Sequence, residues 1–414
     1  MRSELSIRLR RGADGRVSAS GALAVAPYWC RWDGDTLRLV GSAATPVARD
    51  DVALELQVDA GVVATVRSVA ASIVYAGRGE GTRLHTSLSV GSGAVLRWQP
   101  EPIIVTARAR HVASTVIDVA DGGAVQAGAR KYPEPPFPEQ HQTKPGNEAA
   151  LDPAPMYDAP FWKGSGKLEG FAALITGADS GIGRGVAVLF AREGCDVAIC
   201  HLDEDEDAAE TKRAVEAEGR RAIVLKGDVA DPAFSKMAVG ETLKAFGRLD
   251  VLVPNAAFQE HVEAFEDLTY EHFDRTLKTN LYGYFNLAQA AVPHMKSGGA
   301  IIMTGSVTGI MGNKDLLDYS LTKGGIHAFA RSLGTHLAPR GIRVNVVAPG
   351  PVWTPLNPAD KQAEDVAHFG EKTVMKRPAQ PEEIAPAYVF LASPQMSSFI
   401  TGEILPIIGG YSGG

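Results

Sequence analysis

The chain has 414 residues, 45% of them hydrophobic and 21% charged, with a formal net charge of -7. That length exceeds one ordinary core and predicts two domains, and the acidic balance argues against nucleic acid as a general partner. No apolar run approaches the roughly 18 residues of a membrane helix, and three cysteines (Cys30, Cys195, Cys200) without CxxC spacing argue against a disulfide framework or a zinc site. A soluble protein of the reducing cytoplasm, with no membrane partner, is therefore expected. The start, MRSELSIRLRRGADGR, has basic residues without an apolar run behind them, so a secretory signal is not expected.

Residues 1–128 read as a β-rich module. DVALELQVDAG, ATVRSVAASIVYAG and TRLHTSLSVGSGAVLRWQP alternate polar and apolar residues over short runs broken by Gly and Asp, which predicts an antiparallel sheet or sandwich. Every basic residue up to Arg130 is arginine, and the first lysine is Lys131, so the composition changes there. His85 and His111 stand isolated from cysteines and from carboxylates at ligand spacing, so no metal site is assigned.

Residues 129–164, ARKYPEPPFPEQHQTKPGNEAALDPAPMYDAPFWKG, are rich in proline and polar residues. Such a stretch buries too little apolar surface to order itself alone, and it reads as a linker or as an arm draped over the next domain. Phe161 and Trp162 are the side chains expected to pin such an arm; a loosely ordered tether is the plainer alternative.

From about residue 165 to 414 the pattern is α/β. Apolar runs (FAALITG, DVAIC, AIVLKGDV, LDVLVPNAA, AIIMTGS, IRVNVVAPG) alternate with helical stretches. Continuous apolar strands between amphipathic helices predict a doubly wound, Rossmann-type parallel sheet, with ligands beyond the carboxyl ends of the strands. After the first strand comes TGADSGIG, opening a helix. Its Gly177, Gly181 and Gly183, with Ser180 and Ile182 between and beside them, leave room for a pyrophosphate at the helix N-terminus. The spacing is GxxxGxG, and a tight turn without a ligand is the plain alternative for it.

Three further strand ends carry the same suggestion. Asp228 and Val229 follow the third strand, where a carboxylate suits an adenine amino group. Asn255, Ala256 and Ala257 follow the fourth and are small enough to admit a nucleotide against the backbone. Pro349, Gly350, Val352 and Thr354 follow the sixth, near the place of a nicotinamide carboxamide. An ordinary turn explains any one of these, but not four at successive strand ends.

The segment IIMTGSVTGIMGNKDLLDYSLTKGG holds Ser306, Tyr319 and Lys323. Tyr319 and Lys323 are four apart and share one helix face. A phenol with a reference pKa near 10 is a poor base at neutral pH, and a neighbouring ammonium together with an oxidised nicotinamide lowers it. Tyr319 then exchanges a proton with a substrate oxygen that Ser306 holds, and Asn280, in KTNLYGYF, holds a water that continues the proton path. A lone YxxxK is usually a solvated helix face; the serine, the glycine turn and the strand order are what lift it above chance. A hydrolase built on Ser306 lacks the GxSxG elbow.

These residues resemble the short-chain dehydrogenase/reductase family. TGADSGIG is similar to its glycine turn, PNAA to its NNAG segment, and Asn280, Ser306, Tyr319 and Lys323 to its catalytic tetrad. FPEQHQTKPGNEAALDP, GSGKLEG and DYSLTKGGIHAF resemble the general-stress and aldehyde-reductase subgroup. The resemblance implies hydride transfer between NAD or NADP and a small aldehyde, ketone or alcohol. It also implies contact of Lys323 with the nicotinamide ribose, and a homotetramer using helices 267–295 and 319–338. Two positions depart from the pattern: Pro254 removes a backbone donor and is expected to loosen the adenosine side, and Ile408 replaces a usual polar residue. His201 stands where NAD enzymes often carry an acid. Neither Ser180 nor Leu202 is an arginine, and the run Asp203 to Asp207 repels a 2′-phosphate, which favours NAD slightly. The substrate pocket is expected between Phe258, Gln259 and His261 and the loop from Trp353 to Arg377, with Pro355, Pro358 and Phe369 as a lid.

Residues 1–128 resemble the first half of urease accessory protein D, carried by DDVALELQVDAG, ATVRSVAASIVYAG and SLSVGSGAVLRWQPEPIIV. That resemblance implies a urease-related partner for this module. It also leaves a second reading of the whole chain, a maturation scaffold whose dehydrogenase part senses nucleotides. An intact serine, tyrosine and lysine set favours the enzyme, because a sensor needs no proton donor.

Overall fold

A computed structural model describes residues 130–410 without interruption. Ahead of them it describes residues 2–12, 14, 16–21, 24–25, 28–33, 36–41, 51–69, 72–74, 82–92, 94–99, 103–105, 111–119 and 124–127. The chain divides into two compact units, Met1–Lys131 and Tyr132–Gly414.

In the first unit the strands Arg2–Arg11, Asp51–Val58, Thr82–Val90 and His111–Val119 lie side by side in one sheet and are parallel to one another. Thr36–Gly41, Val63–Val69, Val95–Gln99 and Ala124–Ala127 do the same in a second sheet. Among the described residues, antiparallel pairing is confined to the strands nearest the N-terminus, such as Arg2–Arg11 with Val17–Gly21 and Tyr28–Asp33 with Thr36–Gly41. The expected antiparallel sheet is thus corrected to a mainly parallel one. Alternation reports that one face of a strand is buried and says nothing about direction. Here the chain passes from one sheet into the other after Val58 and again after Val90, so a strand's next neighbour in its own sheet runs the same way. Leu5, Ile7, Leu9, Leu56 and Leu88 of one sheet share a core with Leu37, Val66 and Leu96 of the other. His85 is exposed, and the side chain of His111 lies outside the described residues.

The second unit carries a seven-stranded, all-parallel sheet: β1 (Ala172–Thr176), β2 (Asp196–His201), β3 (Ala222–Lys226), β4 (Val251–Val253), β5 (Ala300–Thr304), β6 (Arg343–Pro349) and β7 (Ile404–Ile407). Its order is β3-β2-β1-β4-β5-β6-β7, which reverses between β1 and β4 and opens a crevice there. β1 shows why the sequence chooses this layer: Ala173 and Ile175 enter the core on one face and Leu174 the core on the other, so all of it is buried. Helices α1 (Gly181–Arg192) and α7 (Pro381–Ala392) cover the first face. The helices α3 (Pro232–Phe246), α5 (Gly283–Ala291) and α6 (Leu317–Leu337) cover the second. α2 (Asp205–Ala217) follows β2, and α4 (Tyr270–Leu277) reaches α5 through a wide π-turn, Lys278–Tyr282, which holds Asn280. No helix among the described residues is long and apolar enough to cross a membrane.

Residues 132–164 are fixed to this unit. A proline-rich extended strand cannot satisfy its own backbone, and here the partners come from elsewhere. Phe137 N donates to Ala367 O at 2.8 Å, Gln142 N to Pro358 O at 3.0 Å, and Trp353 Nε1 to Pro153 O at 2.7 Å. Phe137 and Leu151 are buried with Trp353, the two rings 4.3 Å apart. At the far end the Trp162 indole donates to Glu193 Oε1 at 2.7 Å. Burial alone would raise the Glu193 carboxyl, but the N–H groups of Lys167 and Ser165 and the Trp162 indole outweigh it and hold it below its ordinary range. Of the two side chains expected to pin the arm, Trp162 does so and Phe161 is exposed.

Candidate functional site

A cleft of about 730 Å³ lies at the carboxyl ends of the strands, within the size range of small-molecule and cofactor sites. Its floor at one end is the turn between β1 and α1. Gly181 sits at φ 52° with Thr354 Cγ2 2.9 Å from where a Cβ would be. At Gly183 a Cβ would meet the Gly177 carbonyl at 2.0 Å, so any side chain there opens the turn. Gly177, Ser180, Gly181, Ile182, Asp228, Val229, Asn255, Ala256, Ala257, Pro349, Gly350, Val352 and Thr354 all line this cleft, and Gly183 packs behind it. Backbone therefore forms much of the surface at this end, which suits a pyrophosphate and a flat base.

Two threonines at strand ends, which sequence reasoning passed over, hold that floor. Thr176 Oγ1 accepts from both Asn255 N and Ala256 N, at 3.0 and 3.1 Å. Asn255 Nδ2 in turn donates to the carbonyls of Thr176 and Gly177. Thr304 Oγ1 donates to Asn255 Oδ1 at 3.0 Å. Pro254 does not loosen this clamp: its carbonyl accepts from Thr304 N, and Asn255 is held by four bonds of its own.

Ser306, Tyr319 and Lys323 line the middle of the cleft, and all three are buried. Ser306 Oγ accepts from Thr308 N at 3.1 Å and from Thr308 Oγ1 at 3.0 Å, which directs its own proton toward Tyr319. Lys323 Nζ lies 5.3 Å from the centre of the Tyr319 ring and donates to Thr304 O at 2.8 Å. Burial pulls the Lys323 ammonium down to about 7. Burial pushes the Tyr319 phenol up, the hydrogen bond from Ser306 pulls it down, and the Asp360 carboxylate adds a push upward. Desolvation thus dominates both groups in the free protein, whereas the expected lowering of the phenol involves an oxidised nicotinamide as well as the lysine. Asn280 is fully buried behind the cleft. Its Oδ1 accepts from Phe258 N, while Nδ2 donates to Phe258 O and Thr322 Oγ1.

The other end is made of side chains. Phe258, Gln259 and His261 line it, with Pro355, Lys361 and Phe369. Trp353 is buried under the arm instead of facing the cleft, which corrects its place in the expected wall. Asp360 organises the rim: it accepts from His261 Nδ1 at 2.5 Å, from His261 N at 3.0 Å and from Gln259 Nε2 at 2.8 Å. Lys361 Nζ lies 3.1 Å from His261 Nε2. An ammonium only donates, so Nε2 accepts and the imidazole proton sits on Nδ1. Burial would raise Asp360, but His261 and Gln259 outweigh it and hold the carboxyl low. Lys144 of the arm completes the rim, 3.0 Å from Glu260 and 3.5 Å from Asp360. Neither Asp360 nor Lys144 carried a signal in the sequence, since each gains its role from a partner about a hundred or more residues away.

The family model described as enoyl-(acyl carrier protein) reductase matches residues 177–412, and the model of the UreD urease accessory protein matches residues 17–128. General stress protein 39 of Bacillus subtilis is 49% identical over 280 residues, covering 67% of this chain and 97% of its own. NADPH-dependent aldehyde reductase 1, chloroplastic, of Arabidopsis thaliana is 43% identical over 278 residues, 66% of this chain and 96% of its own. Among solved structures, a short chain dehydrogenase from Burkholderia cenocepacia in complex with NADP is 35% identical, with a TM-score of 0.55 over 59% of this chain and 98% of that one.

Proposed function

The chain belongs to the short-chain dehydrogenase/reductase family, as an NAD(P)-dependent oxidoreductase, and from that premise we propose that it reduces small aldehydes or ketones, with Tyr319 as the proton donor. The observation that carries this reading is the pairing of a buried phenol, whose pKa burial pushes up, with a serine whose oxygen already accepts two hydrogen bonds. A bound nicotinamide cofactor supplies the hydride. Ser306, with its oxygen occupied by Thr308, has one proton to donate, and a substrate oxygen entering between it and Tyr319 takes that hydrogen bond in place of the phenol. The Tyr319 phenol, held neutral by burial, gives its proton to that same oxygen as negative charge develops there. Lys323 fixes the back of the site through Thr304 O, and its charge, present below about pH 7, stabilises the phenolate left when Tyr319 has given up its proton.

The residues that would hold the dinucleotide are the glycine turn Gly177–Gly183, Asp228 and Val229, Asn255 to Ala257, and Pro349, Gly350, Val352 and Thr354. NAD is the favoured form. Leu202, Asp203 and Glu204 line the adenosine end, and the nearby Lys226 is spent on Asp205 at 2.9 Å. A homotetramer fits the exposed aromatic and aliphatic side chains on and beside α4 to α6, among them Tyr270 at 90% exposure, Tyr282, Phe285 and Leu321. The match of residues 17–128 to a urease accessory protein supports a second reading for that module alone, capture of a urease-related partner; pull-down by the full chain tests it.

The test is oxidation of NADH and NADPH by the purified chain against a panel of aldehydes and ketones. Turnover with at least one carbonyl compound, at a lower KM for NADH, is the expected result. Tight cofactor binding without turnover on any carbonyl would move the protein to the nucleotide-sensing class.

A further inference from the structure

The arm brings one carboxylate to the back of the glycine turn. Residues 148–150 form a single tight turn whose first N–H, that of Glu148, donates to Asp207 Oδ2 at 2.9 Å. The Glu148 side chain then runs inward, with 3% of its surface exposed. One oxygen accepts from Gly181 N, the amide that opens α1, at 2.5 Å; the other lies 2.6 Å from Arg184 Nη1. Residue 148 lies ahead of residues 177–412, which the family model matches.

The surroundings are over-supplied with acid. Among the described residues, Arg184 of α1 is the buried cation facing Glu148, and it also donates to the carbonyls of Asp179 and Asp207 and lies 3.3 Å from Asp207 Oδ1 of α2. Tyr157 of the arm covers it at 5.0 Å. Two carboxyl groups, Glu148 and Asp207, thus share one guanidinium away from water, and the buried Asp179 carboxyl, which accepts from Ser180 Oγ, adds a third charge beside them. Burial pushes Glu148 up to about 7 and Asp179 up to about 6, in each case against favourable hydrogen bonds. A pyrophosphate laid against Gly181 and Ser180 brings two more negative charges to the other side of the same amide. The least costly response is for the group already nearest neutrality to take a proton.

We infer that Glu148 is a positioning residue of the dinucleotide site, set behind the Gly181 amide by the arm, and that it takes up a proton when the dinucleotide binds. The inference rests on the cofactor site proposed above. Its sign is fixed: affinity is full where Glu148 is already protonated, below about pH 7, and falls as pH rises through that value. Each unit by which the ligand raises the Glu148 pKa weakens binding by about tenfold at high pH.

Calorimetric titration of NADH into the full chain at pH 7.5, in two buffers of different ionisation enthalpy, counts the protons directly. NADH itself has no group titrating there, which makes it a better probe than NADPH. The expected result is uptake of roughly 0.3 to 0.8 proton per site and a Kd that weakens threefold or more from pH 6.5 to 8.5, by the same linkage. Glu148→Gln should bind with no uptake and a flat pH profile. Binding without uptake in the unaltered chain overturns the inference, and so does uptake that persists in Glu148→Gln but vanishes in Asp179→Asn. A complete absence of binding by folded protein refutes the cofactor site itself, and this inference with it.

Discussion

At the cofactor end of the cleft the groups that face a ligand are largely backbone, contributed by one contiguous turn and by three short strand ends. At the substrate end they are side chains carried in from the arm, from the loop after β4 and from the loop after β6, and tied to one buried carboxylate, Asp360. The difference teaches where a sequence speaks. A turn that needs glycine at three fixed places announces itself locally. A rim made by Lys144, His261 and Asp360 exists only after residues as much as 216 positions apart have met.

The contrast can be broken by altering each end in turn. The largest effect is expected between the two, at Lys323→Met. Activity should fall by about 10² to 10⁴-fold with loss of the group behind the proton donor. The same change should raise Tm by a few degrees at pH 7, because a desolvated ammonium is removed while Thr304 O keeps the Tyr284 hydroxyl as donor. The Lys323 pKa is lowered on folding, so the unfolded chain holds the proton more firmly across the window above about 7. Its cost is therefore largest at and below pH 7, and the gain in Tm should fade toward pH 10. Thermal melts of both proteins across that range check the sign; a Tm gain that grows with pH would contradict it.

Next comes Gly183→Ala. A Cβ 2.0 Å from the Gly177 carbonyl forces the turn apart at a cost of about 1–3 kcal/mol, and NADH affinity should drop roughly 10- to 100-fold. Fluorescence titration reads it, and a Kd within twofold of normal would mean that the turn does not set this end. Asp360→Asn should act at the other end only. KM for carbonyl substrates should rise by about three- to tenfold as His261 and Gln259 lose a charged acceptor, with NADH affinity unchanged. Removing that charge also eases the upward push on Tyr319, so the alkaline limb of the reduction should move to lower pH. Equal effects on both ligands would erase the distinction between the ends.

Much of the second unit was legible because its signals are local: buried strands such as AALIT, glycine spacing, and a tyrosine and lysine one helical turn apart. The direction of strand pairing in the first unit was not. DVALELQV fixes which side chains face inward, but its parallel neighbour is set by a connection that sends the following strand to the opposite sheet. The arm was legible as an extension and illegible as a structural part. Proline-rich composition does not say that Phe137 will stack on Trp353 or that Glu148 will reach Gly181. The sense of the catalytic electrostatics was also hidden, because desolvation depends on a burial that no spacing reports.

The most direct test of the account is Tyr319→Phe, assayed for NADH-dependent carbonyl reduction beside NADH binding. The phenyl ring keeps the packing and loses only the proton. The account predicts a fall in kcat of about 10²-fold or more with the cofactor Kd within about threefold. Reduction that survives at more than a tenth of the original rate would contradict the assignment of Tyr319 as the proton donor.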